Sequence, residues 1–294
     1  MDDRELGEPY ELDAERVAAY RRDGYVKLPQ VLSAALLGRF REEIVRVVRT
    51  TPAKDAFPPS HLALLDEEGR QVLRSLQAEK PRRGASSTYA RAFTQRFNLW
   101  NLSPVVERLV RSTRLARIAA ELMGVDGVRL YHDQALFKEP RGGHTPWHCD
   151  QYYWPLSNDN TVTAWIPLQA VPREMGPVAF AVGSHTLDDP VARRLAISDE
   201  SEAHIGKLLQ GSAVDDTPYA LGDVSFHSGW TFHRANANDT DEVRAVFTII
   251  YMDRDMKVEQ RHPRQKIDLA LWLPGARSGD PAATPINPVL YERS

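Results

Sequence analysis

The sequence predicts an α+β protein whose first half is helical and whose second half is a β-sandwich or jelly roll. Two patterns carry that expectation. Up to Gly124, apolar residues recur at three- and four-residue spacing between polar stretches. Beyond it, short β-rich runs follow one another, separated by Gly, Pro, Asn and Asp. A third observation concerns organisation: no internal repeat or low-complexity linker interrupts the 294 residues. The economical reading is one domain over 1–294. It has a helical wrap over about 13–124, a β core over about 125–255 and an extended C-terminal tail.

In chain order, residues 13–23 carry Val17, Ala18 and Tyr20 among charges, and Gly24 is placed to end that helix. Tyr25-Val26-Lys27-Leu28 alternates like a short strand and stops at Pro29. Ser33 is an N-cap for a helix whose Leu36, Leu37, Phe40, Ile44 and Val47 form one apolar face. Residues 51–87 mix Pro, Gly, Ser and charge around one short helix, which predicts a long irregular segment of the lid or substrate-loop kind. Ser103-Pro104 opens a helix that runs through Leu109 and Ile118 to Leu122, with Gly124 past its end. Strands are expected over 128–137, 162–168, 178–182, 224–226 and 245–251. The last twenty residues, punctuated by proline, are expected to lie extended over the surface.

Composition narrows the function. Hydrophobic residues are 42% and charged residues 26% of the chain, enough apolar material for a core, and the net charge is −3. A polyanion-binding protein carries a basic excess, so no nucleic-acid partner is expected. The densest basic runs, Arg82-Arg83 and residues 261–266, read as solvated loop charge. Cys149 is the only cysteine, which excludes an intramolecular disulfide and a cysteine zinc cluster and suits a reducing cytoplasm. The acidic Met1-Asp2-Asp3-Arg4-Glu5 does not resemble a secretory signal, and no apolar run approaches the ~18 residues of a membrane span. A soluble cytoplasmic protein acting on a small molecule is the expectation.

The residues that point to chemistry are few. His148 and Asp150, in His144-Thr145-Pro146-Trp147-His148-Cys149-Asp150, are two apart at the start of a β region. If extended there, they present an imidazole and a carboxylate to one face. Two histidines and one carboxylate on one side of a metal leave the opposite positions open, as in non-haem iron(II) oxygenases. The pair alone is weak, because H-x-D also occurs as a surface pair. A second histidine is available at His233, after the glycine turn of residues 222–238. Arg244 opens the apolar run Ala245-Val246-Phe247-Thr248-Ile249-Ile250-Tyr251. An inward guanidinium there needs an anion, and the distal carboxylate of 2-oxoglutarate is one that fits a bidentate donor. An exposed arginine at the strand edge is the alternative.

Taken together, these segments resemble the phytanoyl-CoA dioxygenase family, a branch of the iron(II)/2-oxoglutarate oxygenases. Gly24-Tyr25-Val26, Leu122-Met123-Gly124 and Phe137-Lys138 resemble family segments in order. So do Trp165-Ile166-Pro167-Leu168, Met175-Gly176-Pro177-Val178, Gly183-Ser184-His185 and Gly222-Asp223-Val224. His233 and Arg244 fall at the family's spacing, and the likeness runs over roughly residues 14–252. Two departures are Val182, where relatives carry proline, and Ala235, where they often carry serine and one cofactor hydrogen bond is in doubt.

The resemblance implies a double-stranded β-helix (a cupin-like jelly roll) with N-terminal helices packed on one sheet. It implies His148, Asp150 and His233 as iron(II) ligands and Arg244 as the anchor of 2-oxoglutarate. His132, Gln134 and Trp165 match positions that line the cofactor pocket, and a core role for His132 is equally open. His227 is then a pocket residue beside the triad, His185 structural, and Cys149 a packing residue. Tyr152, Tyr153 and Trp154 are either substrate-facing or core. The implied reaction uses O2 and releases succinate and CO2 as a C–H bond of a small metabolite is oxidised. Hydroxylation, desaturation, epimerisation and cyclisation share that first step. Relatives that halogenate have a small residue in place of the carboxylate, so Asp150 argues against halogenation. The rivals are a zinc hydrolase on the same triad and a non-catalytic binding module.

Overall fold

The computed structural model describes residues 3–51, 57–78 and 93–293. Helix α1 (Ala14–Asp23) starts where Asp13 accepts a hydrogen bond from the Arg16 amide at 2.7 Å. It ends at Gly24, whose φ of 82° is open to glycine. A Cβ at Gly24 would lie 2.5 Å from the His185 ring, so the position also needs glycine for space. After β1 (Tyr25–Leu28), Ser33 caps α2 (Ala34–Thr50), which buries Leu36, Leu37, Phe40, Ile44 and Val47 as its spacing predicts.

The next segment departs from expectation. Residues 57–78 form two helices, α3 (Pro59–Leu64) and α4 (Glu67–Ala78). The remainder of the predicted irregular segment, with Arg82 and Arg83, lies outside the described residues. Strand β2 (Phe93–Phe97) follows, and the sequence reading did not anticipate it. The helix expected from Pro104 to Leu122 is two, α5 (Pro104–Val110) and α6 (Thr113–Met123). The break occurs because Ser112 turns its hydroxyl onto the Leu115 amide and starts a new helix.

The β core comprises β3 (Gly127–Lys138), β4 (Thr145–His148), β5 (Thr161–Pro167) and β6 (Val178–Ala181). After α7 (Asp199–Leu208) come β7 (Val214–Asp215), β8 (Val224–Ser228), β9 (His233–Ala235) and β10 (Arg244–Asp253). The larger antiparallel sheet runs β1-β8-β5-β10-β3, and β2 pairs with the outer edge of β3. The smaller sheet runs β4-β9-β6-β7. Two facing antiparallel sheets make the jelly roll.

The C-terminal residues are not a surface tail. Helix α8 (Gln265–Trp272) emerges from the basic run at 261–266 and buries Leu271 and Trp272. Strand β11 (Val289–Glu292) then pairs with the β3 start, and the Asn287 amide donates to the Leu130 and Tyr131 carbonyls. Prolines there separate short elements that complete the sheet edge.

The main core lies between α1, α2, α5 and α6 and one face of the larger sheet, with Leu28, Phe40, Ile118, Phe226 and Phe247 at its centre. The opposite face of that sheet is left for the smaller sheet and for a cavity between them. Among the described residues, no helix is long and apolar enough to cross a membrane.

Candidate metal centre and cavity

Pairing of β4 with β9 sets His148 directly across from His233. Cross-strand neighbours hold their Cβ atoms about 5 Å apart, so two imidazoles on this rung face one point; their ring centroids are 4.1 Å apart. Asp150 reaches the same point by a different route from the one expected. The strand ends at His148, and Asp150, with helical dihedrals (φ −76°, ψ −35°), caps a 3₁₀ turn over Gln151–Tyr153. The turn, rather than strand alternation, brings its Oδ1 to 3.7 Å from His148 Nε2 and 3.9 Å from His233 Nε2. Ligand atoms of all three residues lie within 4.8 Å of one another.

Protonation suits a divalent cation. His148 Nδ1 lies 2.8 Å from the Pro146 carbonyl and His233 Nδ1 2.9 Å from that of Thr231. A carbonyl can only accept, so each Nδ1 carries the proton and each Nε2 keeps its lone pair for the metal. Burial holds His148 neutral down to about 3. Burial alone would push the Asp150 carboxyl up, but His233, His227 and His148 outweigh it and keep the group below the usual carboxylate range. Two imidazoles and one carboxylate on one side of a point are a fit donor set for iron(II).

His227, on β8, stands 3.6 Å from Asp150 Oδ2, outside the group of three. Burial lowers its pKa to about 4, against the pull of the Asp150 carboxylate that its Nε2 faces. Cys149 points into a separate cluster with Trp147 and Phe232, and burial pushes its thiol up to about 12. Glu202 of α7 ties the rung together: its carboxylate accepts from the Trp147 amide at 2.8 Å and from Arg234 at 3.1 Å.

The triad opens on a cavity of about 610 Å³, which His132, Gln134, Trp165 and Arg244 line together with His148, Asp150 and His233. Arg244 is 2% exposed, lies 5.5 Å from the Trp165 ring centre and donates from Nη1 to the Gly176 carbonyl at 2.7 Å. Gly176 is required there. Its φ is +68°, and a Cβ would sit 2.3 Å from the Asn236 carbonyl oxygen. Burial lowers Arg244 to about 9, so it remains a cation at neutral pH. Gln134 accepts from the Gln95 amide at 2.6 Å. His132 stacks on Trp272 at 4.2 Å and 25°, on the far side of the cavity from His227. His185 bonds the Arg21 carbonyl, away from the triad.

Several lining residues escaped the sequence reading: Thr163, Thr248, Phe57, Phe97, Asp268 and Trp272. Thr248 carried a signal, because it lies four residues beyond Arg244 on one strand and therefore on the same face. Tyr153 and Trp154 line the cavity, whereas Tyr152 stacks on His262. Arg264, read as loop charge, also lines it, 5.7 Å from the Tyr153 ring.

The profile of the phytanoyl-CoA dioxygenase (PhyH) family matches residues 20–246. The chain belongs to that family. Among solved structures, the epimerase SnoN from nogalamycin biosynthesis, described as non-heme and alpha-ketoglutarate-dependent, is 28% identical at a TM-score of 0.68. The match covers 95% of this chain and 96% of SnoN. The carbocyclase SnoK, from the same biosynthesis and described in the same terms, is 26% identical at a TM-score of 0.70, over 96% and 99% of the two chains. A probable alpha-ketoglutarate-dependent hypophosphite dioxygenase of Stutzerimonas stutzeri is 27% identical over 155 residues. That match covers 51% of this PhyH-family chain and 54% of the relative, so the chain spans about half its length.

Proposed function

We propose that this protein is an iron(II)- and 2-oxoglutarate-dependent dioxygenase that oxidises a C–H bond of a small organic substrate, in specialised metabolism. The observation that carries the reading is the convergence of His148, Asp150 and His233 at the wall of a cavity that also holds the buried Arg244. In hydroxylation the substrate C–H, O2 and 2-oxoglutarate become C–OH, succinate and CO2. Iron(II) bound by the triad supplies the activation of O2 that couples these two oxidations.

The chain's own residues bind, orient and exclude water. His148 and His233 offer Nε2 because their Nδ1 protons are committed to backbone carbonyls. Asp150 supplies the negative charge, and His227 fills the space behind its second oxygen. Arg244, steadied by Gly176 and by the Trp165 ring, receives the distal carboxylate of 2-oxoglutarate. Gln134 and Trp165 complete the cofactor side of the cavity, whereas His132, expected there as well, stacks on Trp272 at the opposite end. Trp154, Phe97 and Trp272 wall off solvent on the other side.

A second reading of the outcome has support in the likeness to an epimerase and a carbocyclase. Those reactions need the same triad and diverge only after hydrogen abstraction. The test is succinate release from purified protein given iron(II), 2-oxoglutarate and O2, with and without candidate substrates. Succinate that depends on iron(II) and on Asp150 supports the reading. Its absence, with metal bound, would favour a zinc hydrolase or a binding protein.

A further inference from the structure

Helix α8 gives the cavity Ile267, Asp268, Leu271 and Trp272, positions one face of a helix brings together. Asp268 is a carboxyl set among the apolar Ile267, Leu271 and Trp272 of that face. It accepts a hydrogen bond from the Trp272 indole, and Arg264, one turn earlier, acts on it from a distance. None of the ion pairs among the described residues includes it. Burial, helped by the Asp150 charge and opposed by Arg264 and the Trp272 indole, pushes the carboxyl up to about 8.

Trp272 is the hub of the surrounding rings. Its centroid lies 5.1 Å from Phe97, 5.4 Å from Phe57 and 4.2 Å from the stacked His132. Such a wall accommodates a flat ring system and favours a cation near its faces. His132, 6% exposed, also lines this end, and its Nδ1 has no hydrogen-bond partner among the described residues. The location relative to the triad follows from register. His132, Ile250, Thr163 and His227 form one rung across β3, β10, β5 and β8. Three strand spacings put its ends roughly 14 Å apart. Trp272 stands on His132 at one end and Asp150 beside His227 at the other.

We infer that Asp268 is a substrate-orienting residue whose carboxylate takes the ammonium group of a cyclic, amine-bearing substrate laid along that rung. The inference rests on the oxygenase reading for the identity of the reacting end. Trp272 holds the carboxylate in place, the aromatic wall grips the ring, and the far edge of the ring is carried toward the triad.

The test uses protein loaded with iron(II) and 2-oxoglutarate without oxygen, titrated calorimetrically with 1-naphthylmethylamine, 1-naphthalenemethanol and 1-naphthoate. The ammonium probe is expected to bind about ten-fold more tightly than the alcohol, with the carboxylate weakest. In Asp268→Asn the ammonium probe should fall to the affinity of the alcohol, and the alcohol, which also reports on folding, should stay within about three-fold of wild type. Equal binding of amine and alcohol to the wild type overturns the inference. So does an amine preference that survives in Asp268→Asn. Should that variant not fold, the wild-type ranking decides alone. Iron(II)-dependent succinate release by the wild type, with and without candidate substrates, is read separately: its absence under both conditions sinks the oxygenase reading, whereas its presence without an amine preference sinks only the role of Asp268.

Discussion

Arg244→Met separates the cost of holding a buried cation from its use. The guanidinium is 2% exposed and donates from Nη1 to the Gly176 carbonyl. A bidentate pair with a carboxylate contains two charge-assisted hydrogen bonds, each worth about 1.5–3 kcal/mol. Taking the lower bound for both, the variant loses about 3 kcal/mol of 2-oxoglutarate binding, on the order of 10²-fold in Kd. The ligand-free protein behaves differently. Methionine leaves the Gly176 carbonyl without its donor, costing about 1 kcal/mol, but removes a desolvated charge, which offsets that loss. The Tm without ligand should therefore change little, while the rise in Tm produced by a given concentration of 2-oxoglutarate should shrink by the equivalent of up to about 2.7 kcal/mol. Anaerobic calorimetry with 2-oxoglutarate and thermal denaturation with and without it read both quantities. A variant that binds 2-oxoglutarate as tightly as wild type refutes the assignment of Arg244. A collapsed ligand-free Tm would refute the reasoning about burial.

Three further outcomes are expected. Asp150→Ala should lose cobalt(II) binding, read from the visible spectrum, together with succinate release; intact binding would remove the carboxylate from the donor set. Gly176→Ala must place a Cβ against the Asn236 carbonyl at a left-handed φ, so it should lower stability by about 1–3 kcal/mol in a denaturant titration and raise the KM for 2-oxoglutarate. An unaffected KM would show that Arg244 does not depend on this turn. His61 sits fully buried between the Leu271 carbonyl and the Asn98 amide, an arrangement that needs the neutral tautomer, and burial lowers its pKa to about 4. Its folded pKa lies below the unfolded value of about 6.5, so the unfolded chain takes up the proton first and stability falls as pH drops from 6.5 towards 4. Asp133, raised to about 7 by burial, works in the opposite direction. The His61 contribution is therefore read as a difference: Tm should fall less between pH 6.5 and 4.5 in His61→Gln than in wild type, and parallel curves would count against it.

Much of the fold could be read from residue order because it depends on local chemistry. Asp13 and Ser33 cap their helices, Gly24 ends one, and the apolar face of α2 packs as its spacing requires. What could not be read depends on competition between local signals or on distant partners. The apolar positions Val106, Leu109, Leu115 and Ile118 are separated only by the short polar stretch Arg111-Ser112-Thr113-Arg114, where the Ser112 hydroxyl starts α6. Asp150 reaches the triad through a turn because the chain leaves β4 at His148, a boundary that alternation in the sequence does not mark. Strand β11 forms because the edge of β3 is available to it, a tertiary fact absent from its own residues.

The same distinction explains why the class of chemistry was legible and the substrate was not. His148, His233, Arg244, Gln134 and Trp165 lie on paired strands, where register fixes which side chains meet, so their spacing is constrained along the chain. The opposite wall comes from β2, from Phe57 and from α8, elements appended to the sheet edge or laid across it. Nothing in the ladder constrains their spacing relative to the triad. A substitution at Leu271 or Trp272 can therefore reshape the substrate end without moving the rung that holds His148 against His233, whereas Gln265 ties the start of α8 to the Tyr152 and Trp154 carbonyls next to Asp150. One jelly roll can in this way keep its cofactor chemistry constant while its substrate changes, and the residues that differ in such a change are the ones a motif does not contain.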